Sequence, residues 1–347
     1  MAIPARLSRI LDAALEGRGP DKEECVYLLS FPPQSLEASM TCAVADVASR
    51  ERFGNRGVLL AQIGIETTPC PGGCKFCVFG EGHTAFDTSE TPVDDILRQA
   101  SVLAGAGDLY ALFLMTMHTY GFDRVLGVVR AVRRVLPGQT QIVVNLGDFD
   151  LAQASDLKAA GVNGAYHVCR LREGVDTSLD PEQRKTTIRV IKETGLDWYY
   201  CCEPIGPEHS PAELVEQIFL GIEYGCFQHA AMRRVYIPTT PLSVQGQIAE
   251  RRLAQVVGVV ALATLASAET KSIAVHEPNL LGLAAGANVV YAEAGANPRD
   301  TEKDTTRNRG HDMPACRKML YEAGFTAIEC GDGKSVALDV DYLNRQA

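Results

Sequence analysis

Short apolar runs alternate with longer segments in which apolar residues recur every three or four positions, and this rhythm repeats along most of the chain. The runs at residues 58–65, 109–117, 141–146, 164–169, 198–202, 234–237, 272–275 and 288–293 read as buried strands. Between them the pattern predicts helices over 92–105, 122–136, 151–160, 181–194, 211–224, 249–266 and 278–285. Thr91 is placed as an N-cap with Pro92 at the first helical position, and Gly195 as the stop after 181–194. Eight strand–helix units predict an α/β protein built as a TIM-type (β/α)8 parallel barrel rather than an open doubly wound sheet. Residues 1–56 look helical and form an N-terminal extension, and 57–296 form the barrel. Residues 297–347 form a C-terminal tail, with a helix near 313–323, that packs on the barrel over one mouth.

The chain has 347 residues, enough for one barrel of ~250 residues plus these extensions. Its net charge of −10 argues against nucleic acid and anionic membrane as partners. No signal peptide is evident, and the longest apolar stretch, 256–268, is too short to span a bilayer. The expected location is therefore cytoplasmic. Eleven cysteines, an odd number without regular disulfide-type spacing, point to ligands, catalytic groups or core residues.

Three of these cysteines cluster. Cys70-Pro-Gly-Gly-Cys74-Lys-Phe-Cys77 follows the first strand with the spacing C-x3-C-x2-C. Three thiolates so placed hold three irons of a cubane and leave the fourth iron open for a ligand, as a catalytic site requires. Two glycines let the backbone wrap closely, and barrel active sites lie in loops after strand C-terminal ends. Two alternatives use the same residues. A structural zinc ion would take His83 as its fourth ligand, and a redox thiol pair would leave Cys70 unexplained.

The motif, with Phe76 at its aromatic position, resembles that of the radical S-adenosylmethionine (SAM) superfamily. From about residue 57 to 324 the chain resembles the biotin synthase-like group, which also includes methylornithine synthase and a maturase of [FeFe]-hydrogenase. The resemblance implies a [4Fe-4S] cluster on Cys70, Cys74 and Cys77 with SAM on the open iron. It implies reductive cleavage to methionine and a 5′-deoxyadenosyl radical that takes hydrogen from a small-molecule substrate in cofactor or natural-product biosynthesis. Rearrangement, oxidation and C–C cleavage all remain open. A reducing partner such as flavodoxin or ferredoxin is implied as well. By the same resemblance Arg184, in Arg184-Lys-Thr-Thr-Ile-Arg, meets the SAM carboxylate, and a guanidinium suits that task. Glu173, Glu208 and Ile237 fall in segments similar to those around SAM, and Thr116 stands where a glycine-rich motif meets the SAM amino group.

The chain departs from biotin synthase where that enzyme holds its second cluster. Met115, Met117 and His118 occupy strand two, and His276 stands where an arginine is expected, so biotin synthase itself is not implied. Cys169, Cys201 and Cys202 at neighbouring strand ends are either core residues or ligands of an auxiliary iron–sulfur cluster, with Cys316 and Cys330 as further candidates. An auxiliary cluster would favour sulfur insertion. His118, His276 and Glu277 are the catalytic candidates, with Asn145, His167, Glu203 and Glu293 at other strand ends. Arg299, Arg307 and Arg309 either bind a substrate carboxylate or phosphate or belong to a solvated lid. A non-catalytic iron–sulfur carrier and a zinc-stabilised binding protein are the alternatives of other classes.

Overall fold

The strands pair in parallel, each with its sequence neighbour, and the last closes on the first. In the computed structural model, which describes residues 3–346, they are Arg56–Gly64, Ala111–Met115, Gln141–Asn145, Gly164–Tyr166, Asp197–Tyr199, Gln228–Arg233, Ser272–His276 and Val289–Gly295. Leu60 pairs with Ala111 at one side of the first strand and Val58 with Val289 at the other, so the sheet is a closed barrel. The fifth strand breaks at Tyr200 and Cys201 and resumes over Cys202–Ile205, which pairs with the sixth. The barrel interior is filled around Phe113, which meets Tyr199, Tyr291 and Tyr166 edge-on at 5.1, 5.5 and 6.3 Å.

The sixth strand is a correction. The apolar run at 234–237 was expected to form it, but the strand is Gln228–Arg233, and 234–237 is the loop that follows. Gln228 and His229 hid it, because both are buried polar residues whose bonds to Tyr291 and to backbone carbonyls let them occupy a strand interior.

The helices are α1 Ala5–Leu15, α2 Lys22–Ser30, α3 Leu36–Phe53, α4 Val93–Ala104, α5 Phe122–Val135, α6 Leu151–Ala159, α7 Pro181–Glu193, α8 Pro211–Glu223, α9 Glu250–Ala263, α10 Leu280–Leu283, α11 Met313–Glu322 and α12 Val340–Gln346. Pro92, not Thr91, is the N-cap of α4, and α10 is a single turn, shorter than 278–285. The extension α1–α3 covers α9, whose residues Leu253 to Ala263 are all buried. That sandwiching explains the long apolar stretch, and no helix described is long and apolar enough to cross a membrane. Arg52 ties the layers by donating to the carbonyls of Thr264, Ser267 and Thr270.

The tail divides. Its first part, Asn297 to His311, lies at the C-terminal mouth, where the His311 carbonyl accepts from Glu293 N–H. Helix α11 then packs outside strands one and eight, in the place of the eighth barrel helix; Gly57 admits it, since a Cβ there would meet Leu320 at 2.8 Å. A buried Arg317–Asp108 ion pair, with Tyr342 donating to the same carboxylate, fixes α11 and α12. The hairpin of Ala327–Glu329 with Ser335–Ala337 pairs with the start of strand one, at the opposite mouth. Met1, Ala2 and Ala347, the ends of the extension and tail named above, lie outside the described residues.

Candidate active site

A cavity opens where the strands end in their C-terminal loops. The cysteine loop forms one wall. Its neck is a ribbon of Glu66–Thr67 with Ser89–Glu90. Inside it, Cys70 N–H donates to Phe79 O at 2.7 Å and Glu81 N–H to Cys70 O at 2.9 Å, while two tight turns run from Gly73 to Cys70 and from Cys77 to Cys74. Gly73 has φ +57°, and a Cβ there would come within 2.9 Å of Ser178 Oγ. The loop after strand four clamps the outside: Lys75 N–H donates to Asp176 O and Ser178 N–H to Gly72 O. So braced, Cys70, Cys74 and Cys77 all line the cavity.

The chemistry of these thiols fits an iron–sulfur cluster. Burial pushes the Cys74 thiol up to about 11 and the Cys77 thiol up to about 12, so a bound cation must supply the charge that makes them thiolates. A cubane places each thiolate on a different iron. His83, the expected fourth zinc ligand, is instead spent inside the loop, 2.7 Å from the Cys77 carbonyl.

The opposite wall comes from strands two to five. Arg184, 4% exposed, reaches the cavity from α7 and donates to Val168 O and to Asp148 Oδ1, both at 3.1 Å. Thr187 donates to the same Asp148 oxygen at 2.8 Å, and His167 Nε2 stands 3.2 Å from it. Burial works against the Asp148 carboxylate, yet His167, Arg184 and Thr187 outweigh it and hold its pKa well below the usual range. Burial, reinforced by Arg184, takes His167 down to about 3 and also lowers His118. Arg170 donates to Glu203 Oε1 at 2.9 Å while Tyr166 OH donates to Oε2 at 2.5 Å. Burial disfavours the charge on Arg170, but Glu203 and Glu173 outweigh it and raise its pKa.

At the far end Gln62 and Arg299 both donate to Glu293 Oε1, each at 2.5 Å. His276 stacks on Tyr291 with ring centres 4.3 Å apart. Burial, with help from Arg299, drives the His276 pKa well below its ordinary value and keeps the ring neutral.

Of the residues singled out by sequence, Phe76, Thr116, Arg184, His118, His276, Met115, Met117, Asn145, Glu203 and Arg299 line the cavity with the three cysteines, and His167 and Glu293 do not. Thr116 already donates its hydroxyl to Asn145 O at 3.0 Å. Glu173, Glu208, Ile237 and Glu277 stand behind the wall. Glu173 braces its own loop, accepting from Arg170 N–H at 2.8 Å and Thr177 at 2.6 Å. Glu208 grips both Nη atoms of Arg234, and it is Arg234 that lines the cavity. Ile237 packs with Val78, Phe79 and Val235 under the cysteine loop. Glu277 is paired with Arg309 and, at 3.3 Å, Arg233. The cysteines proposed for an auxiliary cluster do not reach the cavity. Cys169, Cys201 and Cys202 are buried against the carbonyls of Pro181, Cys202 and Leu214, Cys316 is buried on α11, and Cys330 lies against Gly107 O.

Gln62, Glu66, Tyr166, Arg170, Arg234 and Tyr291 line the cavity without having been singled out. Gln62 did carry a signal: it is the lone polar residue in the apolar run 58–65 and is 7% exposed.

No protein-family model matches the chain, and no curated protein sequence matches it. Solved structures do. HydG, a maturase of the [FeFe]-hydrogenase, is 14% identical with a TM-score of 0.76, covering 94% of this chain and 76% of its own. The HydG of Carboxydothermus hydrogenoformans is 16% identical with a TM-score of 0.75, covering 92% and 78%. Methylornithine synthase (PylB) is 18% identical with a TM-score of 0.77, covering 91% of this chain and 96% of its own. At these identities what is shared is architecture, and the chain has the barrel fold of methylornithine synthase and HydG over nearly its whole length.

Proposed function

We propose that this protein is a radical SAM enzyme acting on a small molecule. The observation that carries the proposal is that Cys70, Cys74, Cys77 and the buried Arg184 face one cavity at the C-terminal mouth of a closed parallel barrel. The likeness in fold to methylornithine synthase and HydG, two kinds of protein that the sequence resemblance itself names, supports it. When bound, the cluster supplies one electron that splits SAM into methionine and a 5′-deoxyadenosyl radical, the species that abstracts hydrogen.

The chain's own residues supply position. Arg184 presents a guanidinium, oriented by Asp148 and the Val168 carbonyl, to the SAM carboxylate. Phe76 and Thr116 flank the same space, and Arg170 is held in place by Glu203. A small reducing protein such as flavodoxin or ferredoxin delivers the electron. The product is a metabolite of cofactor or natural-product biosynthesis.

The test is SAM cleavage after anaerobic reconstitution with iron and sulfide. The wild type, given dithionite, forms 5′-deoxyadenosine and Cys74→Ala forms none. Cleavage that persists in Cys74→Ala would remove the cluster from the mechanism.

A further inference from the structure

The described arginines at the cavity are occupied unequally. Five line it against two glutamates, Glu66 and Glu203, while Glu293 stands just behind Arg299. Arg184, Arg170 and Arg234 are committed to Asp148, Glu203 and Glu208. Arg233 spreads over Ile248 O, Glu250 and Glu277. Arg299 differs. Its Nη2 donates to Glu293 Oε1, an oxygen already shared with Gln62, and its Nη1 is buried with no partner. Its side chain is only 11% exposed. His276, 5% exposed, leaves both ring nitrogens unpartnered as well. Leaving a buried donor without an acceptor is destabilising, and such groups in a cavity mark what the cavity is built to receive.

We propose that this end of the cavity is a subsite for a carboxylate group of the substrate, one oxygen taken by Arg299 Nη1 and the other by the imidazole N–H of His276. The inference rests on the radical SAM reading of the same cavity and specifies its substrate class. One free guanidinium arm and one imidazole match the two oxygens and single charge of a carboxylate; a phosphate dianion would call for more cationic donors. A neutral His276 serves as a hydrogen-bond donor only, and the cationic group is Arg299, whose other arm is paired with Glu293. Phe113 and Tyr291 line the floor and would carry the apolar body of such an acid. The subsite is also tied to the cysteine loop: Val78 N–H donates to Pro298 O, one residue before Arg299.

Calorimetric titration of the reconstituted, SAM-loaded protein with matched pairs tests this: glutarate and glutaramide, L-lysine and L-lysinamide, 3-phenylpropionate and its amide. A charged hydrogen bond of ~1.5–3 kcal/mol predicts that at least one acid binds about 10–150-fold tighter than its amide. Arg299→Gln should erase that preference and His276→Gln should weaken it. If melting shows Arg299→Gln unfolded, His276→Gln carries the comparison. The subsite is overturned if no acid is preferred over its amide, or if the preference survives the substitution. Acid preference in a protein that never cleaves SAM would keep the subsite and discard the radical reading. SAM cleavage without acid preference would do the reverse.

Discussion

Two roles meet in Arg184, the ion pair with Asp148 and the proposed SAM contact, and a pair of variants separates them. Its guanidinium is buried, and its carboxylate partner Asp148 is only partly exposed. Arg184→Met therefore leaves Asp148 with Thr187 and His167 alone, and breaking a buried pair from one side costs ~3–5 kcal/mol. Thr187 remains as a donor, so the lower end, about 3 kcal/mol, is expected. Adding Asp148→Asn removes the stranded charge, and the double variant should recover to within about 1 kcal/mol of wild type. SAM binding should behave differently. Loss of a charge-assisted contact to the SAM carboxylate costs ~1.5–3 kcal/mol, or about 10–150-fold in Kd, and Asp148→Asn has nothing to restore. Urea melts give the stability and calorimetry gives the SAM affinity. A double variant that regains SAM affinity together with stability would refute the role of Arg184 as a SAM contact and leave it a structural residue.

Other predictions are briefer. His167, His229 and His276 are neutral when folded, with burial taking His167 to about 3 and His229 to about 4, whereas the unfolded chain protonates histidine near ~6.5. The unfolded state thus binds more protons as pH falls below ~6.5, and stability should drop by ~1.4 kcal/mol per pH unit for each such histidine. His229→Gln should reduce the slope between pH 6 and 5 by about one proton, as melts across that range would show; an unchanged slope would contradict the assignment. Arg317→Met should cost ~3–5 kcal/mol in urea melts by stranding the fully buried Asp108, and Arg317→Met with Asp108→Asn should cost much less. Gly73→Ala should strain the loop by ~1–2 kcal/mol at its positive φ and speed loss of iron to a chelator relative to wild type.

Much of this was legible in the sequence because it depends on local pattern. A parallel strand buried on both faces is an unbroken apolar run, and seven such runs placed their strands. The sixth failed because Gln228 and His229 find partners only after the barrel closes. The cysteine loop was legible because its three cysteines are neighbours in sequence. Glu173 and Glu208 were harder: proximity in sequence to the right loop did not say whether a side chain would enter the cavity or grip Arg170 N–H and Arg234 behind it. Arg299 could be read only as part of a charged run, since its partner Glu293 and the other donor to Glu293, Gln62, lie on two different strands. The tail hairpin was invisible for the same reason, because its strand exists only by pairing with Arg56 to Val58.

The central claim is that Cys70, Cys74 and Cys77 hold one cubane at the mouth of the barrel. The most direct measurement is an iron and acid-labile sulfide count after anaerobic reconstitution, comparing wild type with the Cys70→Ala/Cys74→Ala/Cys77→Ala variant. The structure predicts about four irons and four sulfides per wild-type chain and none in the variant. Irons that survive in the variant, or a wild type that takes up zinc and no sulfide, would contradict it.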